Sequence, residues 1–231
     1  MKRAIIVGGS SGIGKEMALY FSQQGWKIAV LGRRKSLLDE LCLEHENMFS
    51  YEVDINEAEN LSNKLEKIVG DLGGLDLFII SAGTGFLNNE LDFSKEYQTV
   101  KTNVESFTKL VGWGYHIFKQ QGHGQIVAIT SVQGLMAGGL AYSASKSYQI
   151  NYINSIRMMA KKEFPGLAIT ELRPGSVDTD MMKGEGHFWV SKPNEVAIIA
   201  YRAIQKKKKI QYLSGRWKMI GALLKFLSLW S

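Results

Sequence analysis

The sequence predicts an α/β chain folded as a single doubly wound parallel sheet, three layers deep, with helices on both faces. Three observations lead there. Short apolar runs alternate with helical segments along the whole of the 231 residues. The runs are near-continuously apolar, the pattern of parallel strands buried on both faces. A glycine cluster follows the first run, at the strand-to-helix turn where such sheets bind ligands.

The elements follow in order. Ala4–Val7 is the first strand, and Lys15–Gln24 has helical spacing. Lys27–Leu31 is a second strand and Lys35–Glu46 a helix. Phe49–Val53 is a third strand, followed by a helix over Glu57–Val69. Leu75–Ile80 is a fourth, and a long helical stretch runs from Lys95 to Gln121. Gln125–Thr130, the helix Tyr142–Glu163 and the strand Leu167–Leu172 come next. Glu195–Lys207 is a last helix and Ile210–Leu213 a last short strand. No linker, repeat or low-complexity tract divides the chain, so one domain is expected over 1–215.

Composition narrows the function. The chain is 45% apolar and 22% charged, with a net charge of +6. Much of that excess is local, in Arg33-Arg34-Lys35 and in Lys206 to Lys209. No basic stripe interleaved with aromatics is visible, so nucleic acid is not an expected partner. The single cysteine, Cys42, excludes an internal disulfide and fits a reducing, cytoplasmic compartment. His45, His116, His123 and His187 lack metal-ligand spacing, and no metal is expected.

The glycine cluster reads Gly8-Gly9-Ser10-Ser11-Gly12-Ile13-Gly14. Glycines allow the tight turn and the close approach of backbone to a pyrophosphate, and the helix N-terminus beyond offers free amides. No Gly-Lys-Ser/Thr closes it, so it is not a P-loop. The second strand ends Leu31-Gly32-Arg33-Arg34 with no carboxylate. Two guanidinium groups suit a 2′-phosphate, which favours NADP(H) over NAD. Downstream, Tyr142 and Lys146 stand four positions apart, and Ser131 lies upstream of them. On a helix, i and i+4 share a face, so the ammonium is expected near the phenol. A tyrosine of ordinary pKa, about 10, is a poor acid at neutral pH. A neighbouring cation is expected to lower that value and make Tyr142 a general acid–base.

Together these motifs resemble the short-chain dehydrogenase/reductase family over nearly the whole chain. The resemblance also rests on Asp54-Ile55, Ala82-Gly83, Asn103 and Arg173-Pro174-Gly175-Ser176-Val177-Asp178-Thr179. It implies a Rossmann fold and reversible hydride transfer between NADP(H) and a carbonyl or alcohol. Gly8, Ser10, Ser11, Gly12, Ile13 and Gly14 would surround the pyrophosphate, and Asp54 with Ile55 the adenine. Ala82 and Gly83 would line the ribose, while Pro174, Gly175, Val177 and Thr179 flank the nicotinamide. Ser131 would hold the substrate oxygen and Tyr142 exchange its proton, with Thr130 the weaker hydroxyl candidate. Lys146 would bind the nicotinamide ribose. Asn103 would kink its helix and hold a water in a proton relay. Val7 replaces the usual Thr, and Ile80-Ser81 the usual Asn-Asn.

The stretch with Met181, Met182, His187, Phe188 and Trp189 is expected to cover an apolar substrate. Residues 216–231 carry Trp217, Leu223, Leu224, Phe226, Leu227 and Trp230 with Lys218 and Lys225. This tail is too short and charged to span a bilayer in the usual way. A helix packed on the domain, on a dimer partner or on a membrane surface is expected of it. A homo-oligomer is implied by the family. The rival readings are a catalytically silent NADP(H) sensor and a membrane-surface lipid ketone reductase.

Overall fold

A computed structural model describes residues 1–57, 59–181 and 189–214. The strands are β1 (Arg3–Val7), β2 (Lys27–Gly32), β3 (Met48–Glu52), β4 (Leu77–Ile80), β5 (Gly124–Ile129), β6 (Leu167–Arg173) and β7 (Ile210–Tyr212). The α-helices are α1 (Gly12–Gln23), α2 (Lys35–Leu43), α3 (Leu61–Leu72), α4 (Phe93–Val100), α5 (Phe107–Gln121), α6 (Leu140–Glu163) and α7 (Pro193–Gln205). The strands form one sheet in the order β3-β2-β1-β4-β5-β6-β7, each neighbouring pair parallel. This is the expected doubly wound Rossmann architecture. The order reverses between β1 and β4, and a crevice opens at their carboxyl ends.

Strand alternation splits the core into two layers. Ile5, Val7, Leu31, Phe78, Ile80 and Ile126 point to one face, where they meet Leu65, Phe107, Leu110 and Ile153 of α3, α5 and α6. Ile6, Ile28, Val30, Leu77, Ile79 and Val127 point to the other, against Met17, Phe21, Leu38, Val196 and Ala200 of α1, α2 and α7. Phe21, Phe78, Phe107 and Phe118 are fully buried. Each such ring contributes roughly 2–3 kcal/mol through burial. Phe21 also meets Tyr201 edge-on, with ring centroids 4.9 Å apart, which ties α1 to α7.

Several expected boundaries move, two of them for clear local reasons. The helix expected from Glu57 starts at Leu61, because Asn60 takes a left-handed φ of 68° that a helix interior does not admit. The long helix expected over 95–121 begins at Phe93, where Asp92 accepts a capping hydrogen bond from the Ser94 amide at 2.9 Å. It is interrupted by a π-helical turn, Lys101–Ser106, which contains Asn103. Such π-helical turns concentrate at functional sites. The helix expected over Lys35–Glu46 stops at Leu43. The expected tail over 216–231 lies outside the described residues. Among the described residues no helix is long and apolar enough to cross a membrane.

Candidate active site

The carboxyl edge of the sheet carries one cleft of about 1050 Å³. The sequence-predicted residues converge on it from seven segments. Gly8, Ser10, Ser11, Gly12, Ile13, Arg33, Arg34, Asp54, Ile55, Ala82, Gly83, Ser131, Tyr142, Lys146, Pro174, Gly175, Val177 and Thr179 all line it. Gly14 and Asn103 do not, and each acts from behind the wall.

At the nucleotide end the main chain sets the shape. Gly8 has φ +85° and its amide donates to the Leu31 carbonyl at 2.8 Å. A Cβ on Gly8 would stand 2.5 Å from the Ala82 nitrogen, so the loop after β4 packs where a side chain would otherwise go. A Cβ on Gly14 would collide with the Gly8 carbonyl oxygen and come within 2.9 Å of Ser81 Oγ. Ser81 therefore fits against the glycine loop while Val7 sits buried in the strand before it. Arg34 reaches back over the loop. Its Nη2 donates to Ser10 Oγ at 2.9 Å and to Ser11 Oγ at 2.6 Å, and its Nε to Ser10 Oγ at 3.2 Å. Arg33 is exposed at the same mouth. The donors, the cradle that glycine leaves open and the cationic rim fit a phosphorylated dinucleotide. Asp54 Oδ1 accepts from the Asn56 amide at 2.9 Å, which fixes the carboxylate beside the cleft.

At the other end side chains do the building. Ser131 caps a 3₁₀ turn, Val132–Leu135, by accepting from the Gln133 amide at 3.1 Å. The Val132 amide donates to the Pro174 carbonyl at 3.0 Å, which ties this turn to the loop after β6. A Cβ on Gly134 would lie 2.7 Å from the Lys146 carbonyl carbon, so only glycine lets the turn press against α6. The Ser131 hydroxyl thereby reaches the Tyr142 phenol. Thr130 faces away: its hydroxyl donates to Glu171 Oε1 at 2.9 Å. Glu171 is in turn gripped by Arg173, whose Nη1 donates to the Tyr212 hydroxyl at 3.1 Å. This network braces β5, β6 and β7 beneath Pro174 and Gly175.

Asn103 is fully buried. Its Oδ1 accepts from the Thr84 amide at 2.9 Å, and its Nδ2 donates to the Thr84 carbonyl at 2.7 Å and Ser145 Oγ at 3.0 Å. The side chain thus clamps the loop after β4 to α6. The loop's Gly85 lies against the Tyr142 ring, where a Cβ would come within 2.6 Å of Cδ2.

One electrostatic expectation is corrected. The Tyr142 pKa is raised by burial, with the Ser131 hydrogen bond opposing that rise. The lowering expected from Lys146 is absent. The ammonium stands 5.8 Å from the ring centroid, turned instead to the Ile129 carbonyl at 3.2 Å and Gln149 Oε1 at 3.0 Å. Burial also draws the Lys146 pKa down to about 8.

Sequence reasoning missed Gly85, Gly134 and Gln149, which shape the end of the cleft around Tyr142 and Lys146. It also missed Phe86, Leu87 and Tyr97, which add apolar surface to the cleft. The glycines left a signal, since each flanks a motif residue; Phe86, Leu87 and Tyr97 left none. Met181 lines the cleft as expected, whereas Met182, His187 and Phe188 lie outside the described residues.

Comparison with known proteins agrees with the fold. The family model for short chain dehydrogenases matches residues 2–188. An uncharacterized oxidoreductase of Myxococcus xanthus is 27% identical over 188 residues, covering 78% of this chain and 74% of the relative. The 15-hydroxyprostaglandin dehydrogenase [NAD(+)] of Bos taurus is 30% identical over 192 residues, covering 79% and 70%. Among solved structures, a short-chain dehydrogenase from Sphingobium yanoikuyae in complex with NADPH superposes with a TM-score of 0.82 at 19% identity, covering 99% of this chain and 95% of that one. The glycine cradle, the Tyr142/Lys146 helix and the matched span make one assignment: this chain belongs to the short-chain dehydrogenase family of oxidoreductases.

Proposed function

We propose that the protein reduces a carbonyl to an alcohol with NADPH, and that Tyr142 supplies the proton. The observation that carries this reading is the continuity of the cleft, from the Arg34/Ser10 corner to Ser131, Tyr142 and Lys146. NADPH when bound supplies the hydride. Gly8, Gly12 and Ile13 with the amides of α1 would hold its pyrophosphate. Arg34, fixed by Ser10 and Ser11, would pair with the 2′-phosphate, and Arg33 would add charge at the rim. The Sphingobium neighbour was solved with NADPH, which supports this choice, while the bovine relative is named for NAD(+) and carries the alternative.

The chain's own residues manage the charge. Ser131 donates a hydrogen bond to the substrate oxygen, and Tyr142 protonates it as negative charge develops there. The raised phenol pKa keeps Tyr142 protonated at neutral pH, which suits proton donation and hence reduction. Lys146, charged below a pH of about 8, would hold the ribose. Asn103 acts at one remove by fixing the Thr84 loop. Phe86, Leu87, Tyr97 and Met181 give the substrate end an apolar lining, so the substrate is an apolar ketone or aldehyde. The test is a panel of apolar carbonyls followed at the NADPH absorbance band, with Tyr142→Phe as control. NADPH oxidation that persists at the parent rate in that variant would sink the scheme.

A further inference from the structure

Behind the lysine lies a polar side chain that the proposed reaction has not used. Gln149 is fully buried on α6, one turn beyond Lys146. Its Oε1 accepts from Lys146 Nζ at 3.0 Å, and its Nε2 donates to the Asn103 main-chain carbonyl at 2.9 Å. The amide orientation is fixed by its partners, because an ammonium has only donors and a carbonyl only accepts. Burying a carboxamide is costly unless it is satisfied, and an aliphatic side chain would fill the same space more cheaply. The residue is therefore explained by what it holds rather than by packing.

We infer that Gln149 is a positioning residue for Lys146: its amide bridges the ammonium and the Asn103 main-chain carbonyl. Two of the three ammonium protons are then committed, one to the Ile129 carbonyl on β5 and one to Gln149. The third is left for the cleft. An amide anchored at both ends cannot turn over to pass a proton along, as water does, so this bridge holds the ammonium instead of conducting from it. The groups facing the ammonium are the Ile129 carbonyl, the Gln149 amide, Gly83, the Asn103 carboxamide and the Tyr142 ring. No carboxylate contributes to its titration, and burial alone displaces it. The Gln149 carbonyl dipole is thus the nearest side-chain feature that favours the charged form.

This role rests on the proposed reaction for its catalytic meaning, but its structural content is testable without turnover. The experiment follows the Lys146 ammonium by NMR in the nucleotide-free protein with labelled lysine, assigned with Lys146→Met. Gln149→Leu removes the acceptor, and the Lys146 midpoint is expected to fall by about one unit or more. Gln149→Glu replaces it with a carboxylate, and the midpoint is expected to rise by a similar amount. If Gln149→Leu does not fold, Gln149→Glu and Gln149→Asn carry the test, the shorter amide being expected to lower the midpoint. A midpoint unmoved in the folded variants overturns the inference. The alkaline limb of kcat for carbonyl reduction should shift in the same direction. If the midpoint moves but no carbonyl is reduced in a Tyr142-dependent way, the proposed function fails and the placement of Lys146 by Gln149 stands.

Discussion

The two ends of the cleft are built from different material. At the nucleotide end, backbone segments hold each other by main-chain fit: Gly8 against Ala82, Gly14 against Gly8. Its charged group, Arg34, stays exposed and pairs with hydroxyls of the loop it covers. At the Tyr142 end, the proposed catalytic end, buried polar side chains meet across long stretches of chain: Asn103 to Ser145, Gln149 to Asn103, Thr130 to Glu171. Water competes at the first end and is excluded from most of the second. The difference teaches where energy is at stake. Exposed polar contacts are individually weak, while a buried group that loses its partner retains the full cost of desolvation.

Substitutions can break or sharpen that contrast. The largest effect is expected at the catalytic end. Tyr142→Phe should lower kcat by about a thousandfold through loss of the positioned acid. NADPH affinity, read by fluorescence titration, should barely change. Equal losses in both would mean that the two ends are not separable.

Lys146 comes next. Its folded pKa of about 8 lies below the ordinary 10.5, so the unfolded chain binds more protons between those values. Stability contributed at this site therefore rises with pH from about 8 to 10.5, and the buried charge costs about 3 kcal/mol below that window. Lys146→Met should unfold at a higher temperature than the parent at pH 7, less the cost of stranding Gln149 and Ile129. That advantage should shrink toward pH 10. A difference flat with pH would contradict the burial of a charged lysine.

Gly8→Ala tests the main-chain end. A left-handed φ and a contact of 2.5 Å with Ala82 nitrogen leave no room for a methyl group. A loss of about 2 kcal/mol or more in chemical denaturation is expected, with weakened nucleotide binding. Arg34→Ala should weaken NADPH by about tenfold or more while sparing NADH, and Arg33→Ala should do less, since Arg33 makes no comparable bonds to the loop. Equal effects on the two cofactors would remove the argument for a 2′-phosphate. The smallest change is expected on the outer surface. Lys109 pairs with Glu105 at 2.6 Å, yet both side chains are nearly half exposed. Lys109→Ala should leave the thermal midpoint nearly unchanged.

The sequence by itself determined the layered fold, because strands buried on both faces have to be apolar throughout and the intervening helices amphipathic. It determined the glycine loop and the Tyr142/Lys146 helix for a related reason: local geometry there depends on neighbours within a few residues. Arg34 was legible as a charge near a phosphate, though its grip on Ser10 and Ser11 was not. Only the tertiary structure decided that Lys146 turns inward to Gln149 and Ile129, so that burial rather than a nearby cation governs the Tyr142 phenol. Only it assigned the Asn103 side chain to Thr84 and Ser145, and only it turned the Thr130 hydroxyl to Glu171. Most of those contacts join residues 17 to 42 apart in the chain, and no local pattern encodes which buried donor finds which acceptor.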